Sequence, residues 1–119
     1  MANLRWVTHK GKKVLLLDFT QRAGVAVEQL AREVQQVITA QPRASVLVLA
    51  DFTGAEFSDD ASKQIATAAA ADRPHVLRTA WVGTETFPEA WFNRIRDYSQ
   101  RDIRRFATRE EALEFLTSE

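Results

Sequence analysis

The feature that most constrains this chain is a repeated change of hydrophobic period along its length. Short apolar runs suited to extended chain alternate with longer stretches whose apolar residues recur every three or four positions. Leu4–His9 alternates, with Leu4, Trp6 and Thr8 on one face and Arg5, Val7 and His9 on the other. Lys10-Gly11-Lys12 joins it to the apolar run Val14–Phe19, so the two predict an antiparallel hairpin whose second strand is buried on both faces. Gln21–Gly24 reads as a loop. From Val25 the period becomes helical through Val27, Leu30, Ala31, Val34, Val37 and Ile38, and Pro42 stops it. Ser45–Ala50 is a second buried run.

Ser58 has the chemistry of a helix N-cap, and Asp59 and Asp60 then fall in a first turn, where negative charge meets the positive helix end. Ala61, Ile65, Ala68 and Ala69 form a small-residue face that lets this helix lie close to a sheet, and Arg73-Pro74 ends it. Thr79–Val82 is the next strand, closed by Gly83. Thr86 and Glu89 have capping-box spacing with Pro88 between them, before a face of Phe87, Trp91, Ile95 and Tyr98. Ile103–Phe106 is a short strand. Thr108 and Glu111 repeat the capping-box spacing before the amphipathic Ala112, Leu113, Phe115 and Leu116.

The order β-β-α-β-α-β-α-β-α over 119 residues predicts one α/β domain. Its five-stranded mixed sheet is mostly parallel, with an antiparallel N-terminal edge hairpin and four helices. In such sheets ligands collect beyond the carboxyl ends of the parallel strands. Those ends carry Asp18 and Thr20, then Asp51, Thr53 and Gly54, then Gly83 and Thr84, with Ser58, Asp59 and Asp60 opening the helix beside them.

Composition narrows the chemistry. No cysteine is present, which excludes a disulfide scaffold, a thiolate metal site and a thiol nucleophile. Lys and Arg number 16 against 16 Asp and Glu, so the surplus of cations that nucleic-acid binding draws on is missing. No apolar run approaches the ~20 residues that span a bilayer, and the first residues have no signal-peptide core, so a soluble cytoplasmic protein is expected.

Motifs for turnover are sparse. There is no phosphate-binding Gly-x-x-x-x-Gly-Lys-Ser/Thr loop, and Asp51-Phe52-Thr53-Gly54 is not a glycine-rich cradle. His9 and His75 flank turns without a nucleophile elbow to serve, and no cofactor is implied. Asp18, Asp51 and Asp59 are the carboxylates that a magnesium-dependent phosphoryl-transfer site would use, the alternative being strand-end aspartates that bind turn amides. Between positions 94 and 109, Arg94, Arg96, Arg101, Arg104, Arg105 and Arg109 outnumber Asp97 and Asp102 by four charges. That surplus is either a patch for an acidic partner or a solvated face, with Arg94 paired to Asp97 along the helix. Trp91 and Phe92 point about 100° apart on a helix, so one of them, or Trp6, is expected at the surface.

Several stretches together resemble the SpoIIAA-like, STAS-type domains. They are His9-Lys-Gly-Lys-Lys-Val-Leu-Leu-Leu-Asp-Phe19, the helix end Ile38-Thr-Ala-Gln-Pro42, Val46-Leu-Val-Leu-Ala-Asp-Phe-Thr-Gly54, Trp81-Val-Gly83 and Phe106-Ala-Thr-Arg-Glu-Glu-Ala-Leu-Glu-Phe-Leu116. The resemblance implies a βα superhelix and a bacterial, cytoplasmic, non-enzymatic regulatory or protein-interaction module. In the family's anti-sigma factor antagonists, Asp-x-Ser-Gly is followed by Asp-Ser-Ser-Gly with a phosphorylatable serine at the helix start. Here Asp51-Phe52-Thr53-Gly54 matches the first motif, and Asp59 matches the second aspartate. Asp60 stands in the phospho-acceptor position, followed by Ala61 and Ser62. One fixed negative charge there imitates part of the ~1.5–2 charges of a phosphoserine. Related members are linked by name to CRAL-TRIO lipid carriers, which implies a small apolar ligand.

Two surfaces follow. A protein-contact surface would comprise Thr53, Gly54, Glu56, Ser58, Asp59, Asp60 and Ser62. An apolar ligand pocket would lie between the sheet and the helix bearing Trp91 and Phe92, with Trp81 beneath. The free edge Leu4–His9 also allows a homodimer.

Overall fold

The computed structural model describes residues 4–56, 58–85 and 87–118. The five strands are β1 (Leu4–His9), β2 (Lys12–Asp18), β3 (Val46–Asp51), β4 (Val76–Val82) and β5 (Ile103–Phe106). The four helices are α1 (Val25–Thr39), α2 (Asp59–Asp72), α3 (Glu89–Ser99) and α4 (Arg109–Thr117). The sheet order is β1-β2-β3-β4-β5, with β1 antiparallel to β2 and every other pair parallel. This is the five-stranded mixed sheet with four helices that the hydrophobic periods predict.

The one-directional strand order decides where the helices go. Crossovers of a single hand between β2, β3, β4 and β5 carry α1, α2 and α3 to the same face. That face holds the larger core, in which Leu15, Leu17, Val48, Ala50 and Trp81 of the sheet meet Val27, Val34, Ile65, Phe92 and Ile95 of the helices. The opposite residues of the same strands, Val14, Leu16, Leu49, Ala80 and Val82, are covered by Ala112 and Leu116 of α4. Both faces of β2 and β3 are therefore dry, which is why these strands read as unbroken apolar runs.

Local differences from the sequence expectation have physical causes. β4 begins at Val76 rather than Thr79, because a register shift at Val46/Leu47 lets Val76 and Arg78 continue the ladder. The cap of α3 is at Pro88 and makes no side-chain bond, so the helix starts later than the Thr86–Glu89 box places it; Thr86 itself lies outside the described residues. The buried stripe of α3 is Phe92, Ile95 and Ser99, with Trp91 half-buried and Tyr98 64% exposed. Ser99 is small and returns its hydroxyl to the Ile95 carbonyl (2.6 Å), so it occupies the packed side that the apolar count assigned to Tyr98. Trp6, on the edge strand, is 45% exposed.

Candidate functional site

The carboxyl ends of β2 and β3 are built from one tripeptide used twice, Asp18-Phe19-Thr20 and Asp51-Phe52-Thr53. In each, the aspartate Oδ1 accepts from the threonine amide two residues on, at 3.1 Å for Thr20 and 2.9 Å for Thr53. Each threonine hydroxyl donates to the same oxygen. Asp18 and Asp51 are register partners on adjacent parallel strands and turn toward the α4 face. Phe19 and Phe52 turn the other way and stack at 4.8 Å. Phe52 then meets Trp81 edge-on at 4.7 Å, and Trp81 meets Phe92 at 5.7 Å. The rim is thus seated on a continuous aromatic layer, whose stacked and edge-on contacts suit the ring quadrupoles.

The loops beyond the tripeptides are laced together. The Gln21 amide donates to the Thr53 carbonyl (3.0 Å), and the Glu56 amide donates to the Arg22 carbonyl (2.7 Å). Gly83 closes the third position at φ +73°; a Cβ there would run into the amide nitrogen and hydroxyl of Thr53, so only glycine lets β4 end this close. Ser58 caps α2 by accepting from the Ala61 amide (3.0 Å), as its position predicts.

Arg109, the first residue of α4, donates to Asp51 Oδ2 at 2.6 Å. Burial alone would push the Asp51 carboxyl up. The bonds from the Thr53 hydroxyl and amide and from Arg109 outweigh that and hold it below the ordinary carboxylate range. Asp59 is likewise held low by bonds from Arg94 (2.9 Å) and Lys63 (3.0 Å). Arg94 therefore reaches across to α2 and not along its own helix to Asp97, which instead meets Arg96 (3.3 Å). Arg105 holds Glu89 (2.7 Å) and lies 4.0 Å over the Phe92 ring, and Arg104 meets Asp102 (3.3 Å). The arginines between 94 and 109 are thus committed within the molecule, which favours the internally neutralised face over a patch awaiting an anion.

Thr53, Gly54, Glu56, Ser58, Asp59 and Asp60 are exposed. Ser62 is not: it is fully buried against the core side of α2, which removes it from any contact surface. Asp18, Asp51 and Asp59 do not converge. Among the described residues no group of three or more acidic or imidazole side chains is placed to hold a metal ion. The strand-end aspartates instead bind turn amides, the alternative their positions offered.

Trp81 and Phe92 are buried and Trp91 is half-buried against the same core. An apolar cavity of this face lies between the sheet and α1 and α2, with Leu17, Val34, Ile65 and the expected Trp81 among its walls, Asp72 and Arg101 among its polar lining, and Trp91 and Phe92 outside it. Its volume is about 40 Å³, room for water rather than for a ligand needing ~300–1,000 Å³.

The sequence reading missed two features. Arg109 and Asp51 are 58 positions apart, and nothing local pairs them. Asp72 is 2% exposed, its Oδ1 has no hydrogen-bond partner among the described residues, and burial pushes its carboxyl up to about 6 against the pull of Arg101 and His75. The doubled Asp-Phe-Thr was the available signal for the rim. Comparison of the chain with protein-family models, curated proteins and solved structures returned no match.

Proposed function

We propose that this chain is a small, non-enzymatic interaction module of the STAS-like, SpoIIAA-like kind that acts through protein contact at the segment from Thr53 to Asp60. One observation carries the reading. Thr53, Glu56, Ser58 and Asp60 are exposed on a segment whose backbone is bonded down at both ends. The carboxylates beside it are occupied by threonines, arginines and a lysine rather than poised over a cleft. Its described residues are held by those bonds, so a partner does not have to bear the cost of fixing them. Asp60 lies in the first turn of α2, where its charge also favours the helix.

The test is photocross-linking in the source cells from a benzophenone side chain at position 60, with position 98 as the control. Tyr98 is also exposed but lies on α3, away from the segment. A discrete cross-linked protein from position 60 and none from position 98 is the expected result. Equal labelling from both positions, or none from position 60, contradicts the proposal.

A further inference from the structure

Acid gathers at the carboxyl edge of this molecule, part of it paired there by Lys63, Arg94, Arg105 and Arg109, although the charge of the chain sums to zero. Every helix follows a strand, so all four begin at the carboxyl edge, and all four carry acid in the first turn. Helix dipoles account for that placement. They do not account for the other edge. The last turns of α1, α2 and α4 hold no basic residue; the cations there include those at the start of β2 and on the connection before β3. Lys12 and Lys13 follow the hairpin turn, and Arg43 sits between α1 and β3. All three are exposed, and none has an ion pair among the described residues.

Beside these cations runs a groove of about 380 Å³ lined by Trp6, Lys13, Gln41, Pro42, Ser45 and Val46. Trp6 and Pro42 give it apolar walls, and Lys13 gives it charge. β3 is six residues long, so the groove and the acidic rim stand about 20 Å apart. That is more than two Debye lengths of ~8 Å at physiological salt, so neither edge neutralises the other within one molecule.

We infer that this groove receives the exposed acidic segment of a second copy, Glu56 and Asp60 meeting Lys13 and Arg43, so that copies join head to tail. The inference rests on the contact-surface reading above and names the partner for it. Both halves of the contact are present on every molecule, on opposite edges. The association is heterologous and does not close on itself, so it grows with concentration. Because its charges are exposed, it weakens with salt.

Sedimentation velocity of the full chain tests this, from about 10 µM to about 1 mM, at roughly 20 mM and roughly 500 mM salt. The variants are Lys13→Glu with Arg43→Glu, and Glu56→Lys with Asp60→Lys, each checked for an unchanged thermal transition. The native chain is expected to sediment faster with concentration at low salt and as a monomer at high salt. Each variant alone stays monomeric at low salt. Their equimolar mixture restores opposite charge at both contacts, one native and one reversed, and associates again at low salt. A native chain that is monomeric throughout overturns the inference, as does a mixture that stays monomeric. Association untouched by either variant also overturns it and assigns the contact to the free edge of β1. If copies do not join but position 60 still cross-links another protein, this inference alone fails. If position 60 cross-links nothing, the contact surface fails as well.

Discussion

Asp72→Asn separates the electrostatic cost of one buried carboxyl from everything else in the fold. Asp72 ends α2 beside the small cavity, with Oδ1 unpartnered among the described residues. Arg101 lies close enough to attract it but gives its own bonds to the Thr79 hydroxyl and the Ala69 carbonyl. Burial therefore wins, and the carboxyl titrates near 6 in the folded chain against 3.8 when exposed. A raised acid favours folding while protonated. The contribution is whole below about pH 3.8, falls as pH rises and is gone above about pH 6. Two pH units at ~1.4 kcal/mol each make about 3 kcal/mol. Asparagine does not titrate, and the cost of burying its amide is the same at every pH. The stability of Asp72→Asn relative to the native chain should therefore rise by about 2 kcal/mol between roughly pH 4 and pH 7. Urea unfolding of both chains across that range measures it. A difference that stays level, or one that shrinks as pH rises, refutes the assignment of the cost to this carboxyl.

Three further substitutions probe the rim. Gly83→Ala forces a Cβ onto Thr53 at a positive φ, and should cost about 2–4 kcal/mol in chemical denaturation. A loss under about 1 kcal/mol would mean that the β4 end is not held there. Ser58→Ala should cost about 1 kcal/mol and speed amide exchange at Ala61, whose N–H loses its acceptor. Arg109→Ala leaves the Asp51 carboxylate without one of its donors and should cost roughly 1–3 kcal/mol near neutral pH. Because the folded Asp51 carboxyl is held low, that loss should be full above the unfolded value of 3.8 and should fade as acid protonates it. An Arg109→Ala penalty that grows in acid would contradict the pairing.

What could be read from the residues was whatever is decided within about one turn or one strand. β2 and β3 announce themselves because both faces are buried, leaving no polar residue to interrupt Val14–Leu17 or Val46–Ala50. Ser58 and Thr108 cap as their spacing predicts, since each bond closes within three residues. The failures share a different origin. Arg94 had Asp97 one turn away, yet α2 packs beside α3 and offers Asp59 already fixed by Lys63. Tyr98 has the right spacing for a core face, but the buried stripe of α3 runs through Phe92, Ile95 and Ser99 instead. Ser62 and Asp72 look like solvent-facing residues of an alanine-rich helix, and only the packing of α2 between α1, α3 and the sheet buries them. Arg109 meets Asp51 because α4 alone returns to the second face, a fact of topology rather than of local sequence.

Native-state amide hydrogen exchange along residues 18–61 tests the central claim most directly, namely that the polar groups of the carboxyl edge hold an exposed segment in one conformation. The amides of Gln21, Thr53, Glu56 and Ala61 donate to Thr53, Asp51, Arg22 and Ser58 respectively. They should exchange far more slowly than open loop, by about 100-fold or more, despite the exposure of their side chains. Exchange of all four at open-loop rates would mean that the rim is unstructured in solution and that no pre-ordered contact surface exists.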